Sequence, residues 1–191
     1  MAHVDTQHTP RRTLAIDPST REIGHAILEA NDLLYFGVHT LRHRTSTRRL
    51  LADGQRVVAD LITRFDPHLL VIAKADDAKS KRSARLHGVV VEIQRCAHQH
   101  GVRVAAYAPT TVKKTITGNG AATKREVAET LVRWYPYLAK YLRTDRRTRE
   151  HYWEHMFAAV ALGLTGSEHA SKHSLTPHRR SGDAQERVRL P

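Results

Sequence analysis

The apolar run Leu14-Ala15-Ile16 ends in Asp17-Pro18, which puts a carboxylate at the mouth of what reads as a buried strand. A carboxylate there holds a divalent cation against a phosphodiester when other acidic oxygens converge on it, whereas Asp-Pro on its own is an ordinary turn after a strand. A second group lies in "TVKKTITGNGAATKREV", where Lys113, Lys114, Lys124 and Arg125 surround Gly118-Asn119-Gly120. The glycines let the backbone approach phosphate closely, the next helix offers N–H groups to an anion, and the cations supply charge. A solvated loop with glycines for a turn is the plainer reading of the same stretch. A third group is Glu150, His151 and Glu154, spaced by one helical turn as a ligand pair would be.

The elements that must position these groups follow from periodicity. "TLAID" (13–17), "GHAILEA" (24–30) and "LLYFGVHTL" (33–41) read as three successive antiparallel strands, with a tight turn near Asn31-Asp32. From Ser46 the period becomes helical, with Leu50, Val57, Val58, Leu61 and Phe65 on one face, and Pro67 stops that helix before the buried strand "LLVIA" (69–73). A second helix buries Leu86, Val89, Val90, Ile93, Cys96 and Ala97, ends near Gly101, and gives way to the strand "VRVAAYA". After a loop, Thr123 and Glu126 form a T-x-x-E capping box for a helix running to about Trp134. A last helix, roughly Arg147 to Leu164, turns Met156, Ala159, Val160, Gly163 and Leu164 inward. Strand then helix in alternation is α/β grammar.

The chain has 191 residues, enough for one domain with a full core. Residues 1–11 and 166–191 lack apolar periodicity and read as mobile tails around a domain over 12–165, the second tail basic. With 31 Lys+Arg against 19 Asp+Glu the net charge is +12, a field that favours a polyanion, nucleic acid first. The single cysteine excludes an internal disulfide, and no apolar run is long enough to span a membrane. A soluble intracellular protein, bacterial or phage-like and cytoplasmic, is the expectation. His3, His8, His169, His173 and His178 lie in polar ends and read as solvated. Trp134, Tyr135, Tyr137, Tyr152 and Trp153 read as core and rim aromatics rather than stacking platforms.

The element order matches the ribonuclease-H-like α/β fold, a mixed five-stranded sheet flanked by helices. Within it, "LAIDPSTREIGHAIL" resembles the opening of RuvC-type Holliday-junction resolvases, where Asp-Pro-Gly-Ser ends the first strand and a glycine follows seven residues after the aspartate. Asp17 and Gly24 fit, with Ser19 in place of the glycine. "YAPTTVKKTITGNGAATKREV" resembles the same family more specifically, in its Tyr-Ala-Pro, Val-Lys and Gly-x-Gly and in the lysine pair Lys113 and Lys124, eleven apart. The resemblance implies a homodimeric endodeoxyribonuclease of DNA recombination and repair, acting on four-way junction DNA. It also implies Mg²⁺ or Mn²⁺ at a two-metal site, symmetric nicks with 5′-phosphates, and branch-migration proteins as partners. Lys113 and Lys124 would clamp phosphates.

The departures from the family pattern are as informative as the matches. The family's strand delivers a glutamate six residues after its proline, and Pro67 plus six is Ala73. Its following loop often carries an aromatic wedge, at which position this chain has Asp76, although Lys79, Lys81 and Arg82 keep the loop basic for DNA contact. Its last helix carries an acid or histidine, two residues, then Asp-Ala-x-Ala-x-Ala. "HMFAAVALGL" fits with His155 first and Ala158 at the aspartate, followed by Ala159, Ala161 and Gly163. This register makes Asp17 and His155 the remaining metal-facing pair, His155 as ligand or water-orienting base. The competing register uses Glu150, His151 and Glu154. Two expected carboxylates replaced by methyls predict a junction binder that cuts poorly or not at all, in contrast to a binding module that never was a nuclease. Alanine at both positions matches deliberate exchange better than drift, which more often leaves Ser, Asn or Gln.

Overall fold

The computed structural model describes residues 11–42, 46–74, 81–142 and 147–174. Five strands form one sheet: β1 (Arg12–Pro18), β2 (Glu22–Glu29), β3 (Asp32–Thr40), β4 (Leu69–Ala73) and β5 (Arg103–Tyr107), in the order β3-β2-β1-β4-β5. The first three pair antiparallel, while β1, β4 and β5 run parallel, so the sheet is mixed. The helices are α1 (Thr47–Phe65), α2 (Lys81–Gln99), α3 (Pro109–Thr117), α4 (Lys124–Trp134), α5 (Ala139–Leu142) and α6 (Arg147–Ser174). Among the described residues no helix is long and apolar enough to cross a membrane.

Period-two alternation sorts each central strand between two cores. Leu14, Ile16, Ile23, Ile27, Leu70 and Ile72 point to α1 and α2, where Val57, Val58, Ile93 and Cys96 meet them. Ala15, Ala26, Leu28, Leu69 and Val71 point the other way, to α3, α4 and α6. Small side chains on that second face have a purpose. A Cβ on Gly24 would sit 1.9 Å from the His155 carbonyl oxygen, and one on Gly163 would sit 2.2 Å from Leu28 Cδ1. Helix α6 therefore lies nearly on the sheet, at a separation no side chain would permit.

Three expectations require correction. The last helix does not end near Leu164 but continues to Ser174, so the segment assigned to a mobile tail from 166 begins inside it. Packing drives the extension: Gly166 lies against Val71, and Ser167 is still buried. His169, expected in solvent, packs its ring on Tyr107 at 5.0 Å. Residues 109–117, expected as loop, form α3, because Pro109 fixes φ at the first helical position and Val112 and Ile116 are buried on one face. Residues 1–10 and 175–191 lie outside the described residues.

Ends and turns were more legible. Ser46 caps α1, and Thr123 with Glu126 closes the expected capping box at α4. The aromatics of the Trp134–Tyr137 segment sit at the rim, Trp134 and Tyr137 half exposed and the Tyr135 hydroxyl donating to the Asn31 carbonyl at 2.5 Å. Trp153 packs on Tyr141 at 4.4 Å. Tyr152's side chain lies outside the described residues.

Two predictions follow from this packing. Replacing Gly24 with alanine forces a methyl onto the α6 backbone, an overpacking that costs about 3 kcal/mol in the urea unfolding midpoint analysis. The second concerns His25 on β2, which is buried and stacked on Tyr35 at 5.4 Å. Burial lowers its pKa from 6.5 to about 4. The folded state thus keeps the ring neutral while the unfolded chain binds a proton, so the stability it contributes is full above pH 6.5 and is lost as pH falls toward 4. Between pH 7.5 and 4.5 the wild-type protein should lose about 2 to 3 kcal/mol more stability than His25→Phe, measured by urea unfolding at both pH values.

Candidate functional site

The site forms at the carboxyl ends of β1 and β4. The parallel register pairs Ile16 with Ile72, so the next residues, Asp17 and Ala73, lie side by side on the face that α6 covers. The antiparallel register pairs Asp17 with Gly24, the position over which the His155 backbone rests. A long-range contact therefore follows from a missing side chain: with α6 pressed onto Gly24, His155 Nδ1 reaches Asp17 Oδ2 at 2.7 Å. Both side chains are about one-fifth exposed, at 23% and 19%.

The other ring nitrogen of His155 faces Glu22, Nε2 to Oε2 at 3.9 Å. Ser19 sets this residue in place. Its hydroxyl accepts from the Arg21 and Glu22 amides at 3.1 and 2.9 Å and donates to the Glu22 carbonyl at 2.9 Å, closing the β1–β2 turn. Where the resemblance leads to a glycine, Ser19 closes the turn by hydrogen bonding. Sequence reasoning missed Glu22 because it began the strand at Gly24. The available signal was parity: Glu22, Gly24 and Ala26 alternate onto one face.

Burial opposes the charged form of His155, but the hydrogen bond and charge of Asp17, with the charge of Glu22, outweigh it, and the pKa is raised above 6.5. Its contribution to stability is then full below pH 6.5 and fades as pH rises through the folded-state value. The ring bridges two carboxylates that approach it from opposite nitrogens.

A cleft of about 350 Å³ opens beside this pair. Ala73 and Ala158 both line it, as do Asp17, His155, Lys113 and Lys124, so the residues singled out in four separate sequence motifs converge. Much of its remaining wall is apolar, from Tyr107, Val112, Phe157 and Leu162.

The cation cluster is arranged differently from the sequence expectation. Lys124 Nζ pairs with Glu154 at 2.8 Å, and Arg125 pairs with Glu129 at 2.9 Å. The Glu126 amide is held by Thr123 Oγ1, and the Glu126 carboxylate accepts from the Thr123 amide at 2.6 Å, so the α4 N-terminus carries its own anion. Lys113, half buried, and Lys114, exposed, have no ion pair among the described residues. Gly118 is the C-cap of α3 at φ 77°, with open space around it, and Gly120 would bring a Cβ within 3.3 Å of the Thr110 carbonyl. Both glycines serve the turn, and Asn119 braces it through Oδ1, which accepts from the Ala121 amide at 2.9 Å.

Of the competing set, Glu154 pairs with Lys124, while the side chains of Glu150 and His151, in the first turns of α6, lie outside the described residues. Lys79 also lies outside them, as do the side chains of Lys81 and Arg82 at the start of α2, and residue Asp76.

A two-metal site needs several acidic oxygens around cations roughly 4 Å apart. Among the described residues no group of three or more His, Cys, Asp or Glu side chains is arranged to hold a metal ion. Asp17 has one oxygen committed to His155, Glu22 lies on the far side of the ring, and methyls stand at 73 and 158. The donors among the described residues do not fit a pair of divalent cations.

The arrangement predicts a measurable coupling. In Asp17→Asn the imidazole keeps its burial and loses its charged partner, so its pKa should fall from above 6.5 to below it, read by NMR titration of the His155 ring.

Residues 13–142 match the family model described as crossover junction endodeoxyribonuclease RuvC. The crossover junction endodeoxyribonuclease RuvC of Akkermansia muciniphila is 27% identical over 159 residues, covering 81% of this chain and 89% of that protein. The RuvC structure from Thermus thermophilus superposes with a TM-score of 0.68 at 20% identity, covering 85% of this chain and 96% of that one. The same protein in complex with a Holliday junction substrate gives 0.65 at 19%, with the same coverage. These two share the fold, and the family model's span includes Asp17, Ala73, Lys113 and Lys124 but stops short of His155 and Ala158.

Proposed function

The chain belongs to the RuvC family of crossover junction endodeoxyribonucleases, and from that membership we propose that it binds four-way DNA junctions with the resolvase architecture intact and the cleavage step disabled. The observation that carries this reading is the placement of Ala73 and Ala158 in one cleft with Asp17. A junction is the substrate class of the family, and the +12 charge supplies the field that any duplex arm requires. Lys113 and Lys114 engage phosphates directly, because neither is held in an ion pair among the described residues, although the Glu126 carboxylate feels the charge of Lys113. Lys124 engages phosphate only by exchanging Glu154 for it.

The work left to the chain's own residues is binding and orientation. Asp17 fixes the tautomer and direction of His155, as a carboxylate does for an imidazole that takes a proton. With Nδ1 on Asp17, Nε2 is the atom that points toward Glu22 and is the only ring position left for a water or a phosphate oxygen. Mg²⁺ or Mn²⁺, when bound in an intact family site, supplies the charge that stabilises attacking and leaving oxygens. With the two expected acids absent, the described residues offer that chemistry no place to assemble.

A homodimer completes the reading, since a two-fold assembly matches the symmetry of a four-way junction and presents one site to each of two strands. Branch-migration proteins are the partner class that would deliver such a substrate. The combined variant Ala73→Glu, Ala158→Asp tests the proposal. On a labelled four-way junction with Mn²⁺, the unmodified protein should shift the junction in a gel without cutting it. The double variant should introduce symmetric nicks at a rate at least about a hundredfold higher, the scale of losing one electrostatic contributor to a transition state. Efficient nicking by the unmodified protein would sink the reading, and if Glu154→Ala then abolished it, the acids of α6 would be the true ligands.

A further inference from the structure

The two methyls change what the cleft can accept. Carboxylates at 73 and 158 would make its floor anionic and reserve it for cations, whereas Ala73 and Ala158 join Tyr107, Val112 and Phe157 in a wall that favours a desolvated apolar surface. At about 350 Å³ the cleft lies within the range of small-ligand sites. Charged residues line it too: Lys113, Lys124 paired with Glu154, Arg125, and the Asp17–His155 pair. A largely apolar, aromatic-walled cleft with an ion-pair-free lysine, Lys113, and a hydrogen-bonding acid is the complement of one nucleotide.

We propose that this cleft takes a single unpaired nucleotide from the branch point of a DNA junction, its base against Ala73, Ala158 and Tyr107 and its phosphate on Lys113. The inference rests on the junction-binding reading above and extends it to the part of the substrate that is gripped. Taking a base out of a duplex costs a few kcal/mol, and the cost is smallest where stacking is already interrupted, as at a crossover. Stacking against aromatic and apolar walls returns energy on that scale and is tolerant of sequence, because every base has a π-face. Asp17 Oδ1, which His155 does not engage, can accept from an exocyclic amine on a base. The sense of the exchange is that a site built to hold metal against a phosphate becomes a site that holds a base.

A thermodynamic cycle tests this. One component is a junction carrying an abasic nucleotide at the crossover in place of the natural one. The other is Ala158→Leu, which fills the cleft. In the unmodified protein the abasic change should weaken junction binding roughly tenfold, the scale of one stacked base. In Ala158→Leu the natural junction should bind about as weakly as the abasic one does to the unmodified protein, and the abasic change should then have no further effect. Equal abasic penalties in the two proteins overturn the proposal while leaving junction binding intact. Failure of the unmodified protein to bind the junction at all overturns both this proposal and the reading beneath it. A second measurement needs no variant. A crossover thymine in the complex should be protected from permanganate, which attacks the face of an unstacked pyrimidine, and a thymine at least as reactive as in the free junction contradicts enclosure in the cleft.

Discussion

The close approach of α6 to β2 at Gly24 is the constraint on which the site depends. A Cβ there would overlap the His155 carbonyl, so the absence of one side chain sets the distance between the helix and the sheet. Gly163 and Gly166 hold the same separation against Leu28 and Val71 further along the helix. Because Asp17 is the register partner of Gly24, the strand-end carboxylate and the helix histidine are brought to 2.7 Å by packing. Their hydrogen bond and opposite charges favour the contact once they are close, but it is the packing that places two residues so distant in sequence side by side. Sheet register and a stripe of small residues do so.

Electrostatics then divides the site into a part that is preserved and a part that is not. Asp17, His155 and Glu22 form a carboxylate–imidazole–carboxylate arrangement in which the ring's raised pKa reflects its two neighbours winning against burial. That arrangement satisfies itself without a cation. Ala73 and Ala158 offer no oxygen to a cation, and the cleft they line is largely apolar. Lys124 and Arg125 are paired with Glu154 and Glu129, while Lys113 and Lys114 make no ion pair among the described residues. On the proposed reading the chain attracts and orients DNA, while its means to stabilise a developing charge on it are reduced.

Much of this was legible from sequence because it follows from local rules. Strand parity, the Thr123–Glu126 capping box and the helical stripe from Leu50 to Leu61 each depend on neighbours a few residues apart, and each stands where periodicity places it. The convergence of Asp17, Ala73, His155 and Ala158 was readable only through motif resemblance, since no local rule relates four positions on three elements. The failures have a shared physical cause. Helix α3 was hidden because its cationic residues gave the segment a loop-like composition, while burial of Val112 and Ile116 decides its state. The continuation of α6 to Ser174 and the docking of His169 on Tyr107 depend on tertiary contacts that a polar stretch does not announce. Glu22 escaped notice because strand ends are the least determined part of a pattern, and there one residue decides which side chains face the site.

The central claim is that the fold delivers DNA to a cleft that no longer assembles a pair of cations. Electron paramagnetic resonance of Mn²⁺ titrated into the complex of the unmodified protein with a four-way junction tests it most directly. The account predicts no stoichiometric protein-bound ion and no spin-coupled pair, only the signal of free Mn²⁺ and that bound by DNA alone. A coupled two-ion signal, saturating at two Mn²⁺ per site and lost in Asp17→Asn, would contradict it.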